Sequence, residues 1–108
     1  MPYSRKFQGT GQLAATDTTI YAPSSSSTGT IGVLSFYNGH TAQVTVTVYS
    51  PHTGTPGRIL EKFSINPGKS HICRPAINQV IEGASSYELS ALASVASVVD
   101  YTCSGAEE

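Results

Sequence analysis

His71 and Cys73 stand two positions apart, so on an extended segment both side chains leave the same face. An imidazole and a thiolate at that spacing could begin a tetrahedral zinc site, with His52 or Cys103 completing it. Zinc motifs bring Cys and His in closely spaced pairs, and this chain holds a single such pair. The expectation is therefore an ordinary packed strand and no metal.

Nucleophilic catalysis needs a nucleophile, a base and an orienting acid within reach of one another. Serine is abundant, but no G-x-S-x-G elbow occurs, and His40, His52 and His71 fall in turns or at a strand edge. Glycoside hydrolysis needs two facing carboxylates, whereas Glu61, Glu82, Glu88 and Asp100 lie on different segments. Gly9-Thr10-Gly11 lacks the third glycine and the helix of a phosphate-binding loop. Six tyrosines could line a carbohydrate-binding face, but tryptophan is absent and protein interfaces also favour tyrosine. No enzyme, no catalytic residue and no cofactor is expected.

The elements that would have to position such residues are strands. Residues 41–49 read T-A-Q-V-T-V-T-V-Y, with Ala42, Val44, Val46 and Val48 on one face and the polar residues on the other. Residues 31–37 form the preceding strand, and Asn38-Gly39 between the two predicts a hairpin, because both residues tolerate positive φ. That preceding strand is apolar on both sides: Ile31, Val33 and Tyr37 alternate with Leu34 and Phe36. A strand apolar on both faces is covered on both. In a chain of 108 residues, which is one domain by length, a second copy could be the cover. Leu34 and Phe36 are accordingly the expected subunit interface.

Further strands are expected at 18–22, 58–65 and 69–73, with a turn at Asn66-Pro67-Gly68 and a single helical turn within 75–81. Residues 8–15 read as a weak first strand with a bulge near Gly9 and Gly11. The final third also fits a helical face through Leu89, Leu92, Ala93, Ala96 and Val99, but the valines and interleaved serines favour two strands, 86–93 and 96–103. The expectation is an all-β fold: a single β-sandwich or jelly-roll-like domain of about seven or eight short antiparallel strands. Residues 12–108 would form the sandwich and residues 1–11 an N-terminal arm or weak strand.

Composition narrows the partners. Charged residues are 12% of the chain, against about 25% in an ordinary domain. Six scattered Lys and Arg cannot make a phosphate-tracking stripe, so no nucleic acid is expected. A net charge of −1 leaves little repulsion between copies. No apolar run of about 20 residues is present to span a membrane. The N-terminal residues lead into no apolar signal segment, which predicts a protein made and left in a cytoplasm unless released by lysis. Two cysteines are too few for a disulfide framework, and both are expected reduced and packed.

Taken in order, several segments resemble a family of small all-β virion proteins of tailed bacteriophages. They are Ile20-Tyr21-Ala22-Pro23, the Ser/Thr/Gly loop, the strand into Asn38-Gly39, Val44 to Val48, Asn66-Pro67-Gly68, Glu82-Gly83-Ala84 and the closing Ser104-Gly105-Ala106-Glu107. The resemblance spans residues 12 to 107. It implies a head decoration (cement) protein or a fibre-associated protein, commonly a homotrimer, bound to the major capsid protein or another virion component. Assembly would take place in the host cytoplasm. It implies no catalytic residue. The N-terminal Tyr3, Arg5, Lys6 and Phe7, two aromatics around a basic pair, are the expected partner contacts. The alternative is a small carbohydrate- or receptor-binding sandwich.

Overall fold

Period-two alternation lets a strand bury one face while its other face meets solvent. The computed structural model describes residues 5 to 108, with side chains from Lys6 onward. Its strands are β1 (Arg5–Gln12), β2 (Thr18–Tyr21), β3 (Thr28–Asn38), β4 (Val44–His52), β5 (Ile59–Ile65), β6 (Ser70–Ile72), β7 (Val80–Glu82), β8 (Glu88–Ala93) and β9 (Val99–Glu107). The only helical pieces described are two single 3-10 turns, Arg74–Ala76 and Gly83–Ser85.

The first sheet has the order β1-β9-β3-β6, with β7 also on β3; the second has the order β2-β8-β4-β5. All the pairings are antiparallel. Setting the short β7 aside, the first strand pairs with the last, the second with the next to last, the third with β6 and the fourth with β5. That nesting is one long antiparallel ribbon rolled into two facing sheets, the jelly-roll arrangement. The all-β sandwich expectation holds, with nine strands described.

Between the sheets, Val44, Val46, Val48, Leu89, Ala91 and Ala93 of the second face Ile31, Leu34, Phe36 and Cys103 of the first, all fully buried. Phe36 meets Phe63 across the gap at 5.6 Å between ring centres. Burying each large aliphatic or aromatic side chain contributes roughly 1.5–3 kcal/mol, so this interior holds the two sheets together.

Three sequence expectations are corrected. First, β3 and β4 do not pair as a hairpin; residues 39–43 carry the chain from the first sheet to the second. Asn38 is fully buried. Its Nδ2 donates to the carbonyls of Ala42 (3.0 Å) and Ile65 (2.8 Å), and its Oδ1 accepts from the His40 amide (2.8 Å). Asn38 thus braces the crossing instead of turning a corner. Positive φ among the described glycines belongs to Gly54 and Gly68 and not to Gly39.

Second, Leu34 and Phe36 are not a subunit interface. They are 0% and 1% exposed within the single chain. The register of β3 against β9 shifts between Ile31 and Val33, leaving Gly32 as the extra residue of a bulge. The bulge resets the alternation, so Ile31, Leu34, Phe36 and Asn38 all point inward while Val33 and Tyr37 point outward. The apparent two-faced strand is a one-faced strand with one residue inserted.

Third, β1 carries no bulge: its register runs unbroken from Arg5 opposite Glu107 to Gln12 opposite Asp100. A Cβ at Gly11 would instead crowd the far end of the Tyr101 side chain, 2.8 Å from its hydroxyl. At the other end of the chain, two strands, and not a helix, occupy the final third.

Candidate functional site

At the open edge of the sandwich, β5 of one sheet and β6 of the other approach each other. Glu61 sits opposite the buried Val48, and its Oε1 meets His71 Nε2 at 3.1 Å. The His71 ring stacks on Phe63 at 3.9 Å. This clasp ties the two sheets, and both side chains keep about a third of their surface in water. Cys73 is buried behind it, and its amide donates to the Leu34 carbonyl at 2.9 Å. Burial pushes the Cys73 thiol up to about 12, with the Glu61 carboxylate adding to the shift and a backbone hydrogen bond with Ala76 opposing it. Burial alone pushes Cys103 up to about 11. Both remain protonated thiols at neutral pH, poor nucleophiles and poor metal ligands.

The ligands that could have completed a zinc site with His71 and Cys73 are elsewhere. Cys103 pairs with Leu34 on one side of β3, while Cys73 bonds Leu34 from the other. Two strand spacings then separate the cysteines, roughly 10 Å, which is too far for a disulfide. Both are free. His52 lies on the outer face of the second sheet, and His40 in the crossing after β3.

The remaining carboxylates do not converge as a glycosidase pair. Glu82 is exposed on β7, and Asp100 accepts from Gln12 Nε2 at 3.0 Å on the first sheet. One grouping has the residue types of a nucleophile, a base and an acid: His52 Nε2 lies 2.7 Å from Ser90 Oγ, with Glu88 and Asp17 close by. Ser90, however, is fully buried beneath the imidazole, so no substrate carbonyl can reach its oxygen. Acyl transfer needs that approach and a facing oxyanion hole. This grouping was missed by sequence reasoning; its members come from three separated segments, and no local motif announces them.

The outer face of the first sheet is different in kind. Val33 and Tyr37 project from β3, Ile72 from β6 and Val80 from β7, exposed by 38%, 44%, 48% and 52%. Ile72 pairs with Ser35 between Val33 and Tyr37, and Val80 pairs with Thr30, so the four form a strip along β3. Around them stand Thr10, Thr102 and Ser35, with Asp100 opposite Tyr37 at one end.

Of the residues expected to contact a partner, Lys6 is exposed and lines the wall of an open groove of about 620 Å³ beside Gly32 and Ala106. Phe7 is engaged within the sandwich, stacked on Tyr21 at 4.1 Å. The Tyr21 hydroxyl in turn donates to Glu107 at 2.5 Å. Tyr3 and the Arg5 side chain lie outside what is described.

No protein-family model matches this chain, and no curated protein matches it. Solved structures do. One comes from Bacillus endospore appendages, described as a family of disulfide-linked pili; it is 21% identical, with a TM-score of 0.50, over 97% of this chain and 85% of that one. A structure of infectious bursal disease virus, Gx strain, is 15% identical with a TM-score of 0.43 over 98% of this chain. The mutant VP2 protein of the same virus, in derived T=1 particles, is 15% identical with a TM-score of 0.43 over 97%. This chain spans 33% and 31% of those viral chains. At such identities the likeness is one of fold.

Proposed function

We propose that the protein is a non-enzymatic structural subunit of a virus particle, and more narrowly a decoration protein that self-associates and clamps the capsid surface. The observation that supports this reading is the strip of Val33, Tyr37, Ile72 and Val80 on the outer face of the first sheet. Apolar side chains aligned along a sheet strand suit burial against another protein, and tyrosine is enriched where proteins meet. The groove beside Lys6 has neither a carboxylate nor an imidazole in its wall. The resemblance to phage virion proteins points the same way, and it suggests a trimer bound to the major capsid protein, put together in the host cytoplasm. Lys6, at the groove, remains a capsid-contact residue in this reading.

With the cysteines inside the core, subunits would associate without covalent links, unlike the pili that share the fold. Three copies on one axis would present each capsid-facing surface three times, so weak contacts add through effective concentration.

Sedimentation of the purified protein and its binding to capsids lacking it provide the test. The native protein is expected to sediment as a trimer and to bind such capsids, with sedimentation unchanged by reductant. The double variant Tyr37→Ser, Ile72→Ser should melt as the native protein does, yet self-associate at least about tenfold more weakly, a difference of roughly 1.4 kcal/mol. A native monomer at micromolar concentration that ignores capsids and binds glycans would overturn the proposal in favour of a carbohydrate- or receptor-binding module.

A further inference from the structure

Asp17 immediately precedes β2, Glu88 opens β8 and His52 closes β4, three neighbouring strands in the order β2-β8-β4. The pleat explains why they meet. His52 pairs directly with Glu88, so both project from the same face. Thr19 pairs with Ser90, and Asp17 precedes Thr19 by two positions, which places it over that same outer face. Ala91 and Ala93, one residue out of phase, face the core. The result is a row in which one imidazole and two carboxylates have ligand atoms within 4.8 Å of one another. We propose that these three residues form a site for a divalent first-row transition-metal ion, with Zn²⁺ as its representative.

The state of His52 supports this beyond the grouping itself. Its Nε2 is engaged by Ser90 Oγ at 2.7 Å, while its Nδ1 is shielded from solvent and has no hydrogen-bond partner. An unpaired buried ring nitrogen is unfavourable unless something satisfies it. Metal-binding histidines characteristically donate their second ring N–H to a fixed acceptor, which orients the ring and frees the other nitrogen's lone pair. Ser90 occupies the acceptor's place: with the proton on Nε2, Nδ1 presents its lone pair. Glu88 is similarly held, its Oε1 accepting from Thr19 Oγ1 at 3.0 Å.

A tetrahedral ion with bonds near 2.1 Å wants ligand atoms roughly 3.3 Å apart, so the row must close by at most about 1.5 Å. Asp17 lies in the exposed segment before β2, and Glu88 has three side-chain torsions, so both can make that movement. One imidazole with two carboxylates favours Zn²⁺ or Mn²⁺ over Ca²⁺, which prefers six to eight oxygens. A bound ion would also cross-brace β2, β8 and β4.

The test titrates ZnCl₂, MnCl₂ and CaCl₂ separately into chelator-treated full-length protein, read by calorimetry and by melting temperature. One equivalent of Zn²⁺ should bind at micromolar concentration and raise the melting temperature, with CaCl₂ at least tenfold weaker. His52→Asn and Asp17→Asn should each weaken Zn²⁺ binding at least tenfold, Ser90→Ala by ten- to a hundredfold, and His71→Asn not at all. Should a variant fail to fold, Co²⁺ loaded into the native protein decides: its spectrum should show nitrogen and oxygen ligation without thiolate charge transfer. No Zn²⁺ binding up to millimolar, undiminished binding by folded His52→Asn, loss in His71→Asn, or a thiolate band with Co²⁺ would each overturn the proposal.

Discussion

On the outer face of the first sheet, β3 shows Val33 and Tyr37 to solvent, with Ile72 beside them. On the outer face of the second, β4 shows Thr45 and His52, with Ser64, Lys62 and Glu88 on its neighbours. Their inner faces are both apolar: Val44, Val46, Val48, Leu89, Ala91 and Ala93 on the second meet Ile31, Leu34, Phe36 and Cys103 on the first. The contrast separates two kinds of information in one chain. Inward residues specify only that two sheets meet, a demand that many apolar sets satisfy. Outward residues set what each sheet can touch: an apolar strip along β3 on one side, and a row of an imidazole and carboxylates on the other. That division is why a shared fold carries so little functional meaning by itself.

The comparison breaks most visibly if an inward residue is doing an outward job. Phe36→Ala should destabilise the chain by about 3–5 kcal/mol in denaturant unfolding, the usual cost of emptying an aromatic site in a core. A variant of unchanged stability that had only lost self-association would return Phe36 to a subunit interface.

Alkaline pH gives a smaller effect from the same interior. Cys103 ionises near 9 in the unfolded chain and near 11 when folded. Above pH 9 the unfolded state therefore sheds a proton that the native state keeps. The stability contribution is complete below pH 9 and is lost as the pH climbs towards 11, with a limiting slope of about 1.4 kcal/mol per pH unit. Unfolding midpoints measured between pH 8 and 11 should fall less steeply for Cys103→Ala than for the native protein.

The smallest effect belongs to the clasp at the sandwich edge. Glu61→Gln should change stability by no more than about 1 kcal/mol, because the pair it forms with His71 is partly solvated. A larger loss would mean that the edge, and not the interior, holds the two sheets together.

The strands themselves were readable because alternation is local: Val44, Val46 and Val48 announce a buried face within five residues, and the structure puts all three at 0% exposure. What eluded the sequence depends on single insertions or on distant partners. Gly32 adds one residue to β3 and exchanges the roles of every position before it relative to those after it. Asn38-Gly39 has turn chemistry, yet the Asn38 amide spends its donors on Ala42 and on Ile65 from another strand. Asp17, His52 and Glu88 lie more than thirty positions from one another along the chain. Only the β2-β8-β4 order makes them neighbours, and nothing in their local sequence encodes that order.

The nested pairing has a kinetic side. Val44 opposite Ile65 closes a modest loop, whereas Arg5 opposite Glu107 spans nearly the whole chain. Closing the outermost pair first would mean confining almost every residue before any contact compensates, although the penalty rises only with the logarithm of length. Once β4 and β5 are zipped, β3 and β6 find their ends already near, and each later pair starts from a loop shortened by the one before. Assembly from the inside outward is thus the route with the lowest entropy barrier. The distant pairings still place the domain among folders that work in milliseconds to seconds, leaving β1 and β9 as the last pair to form.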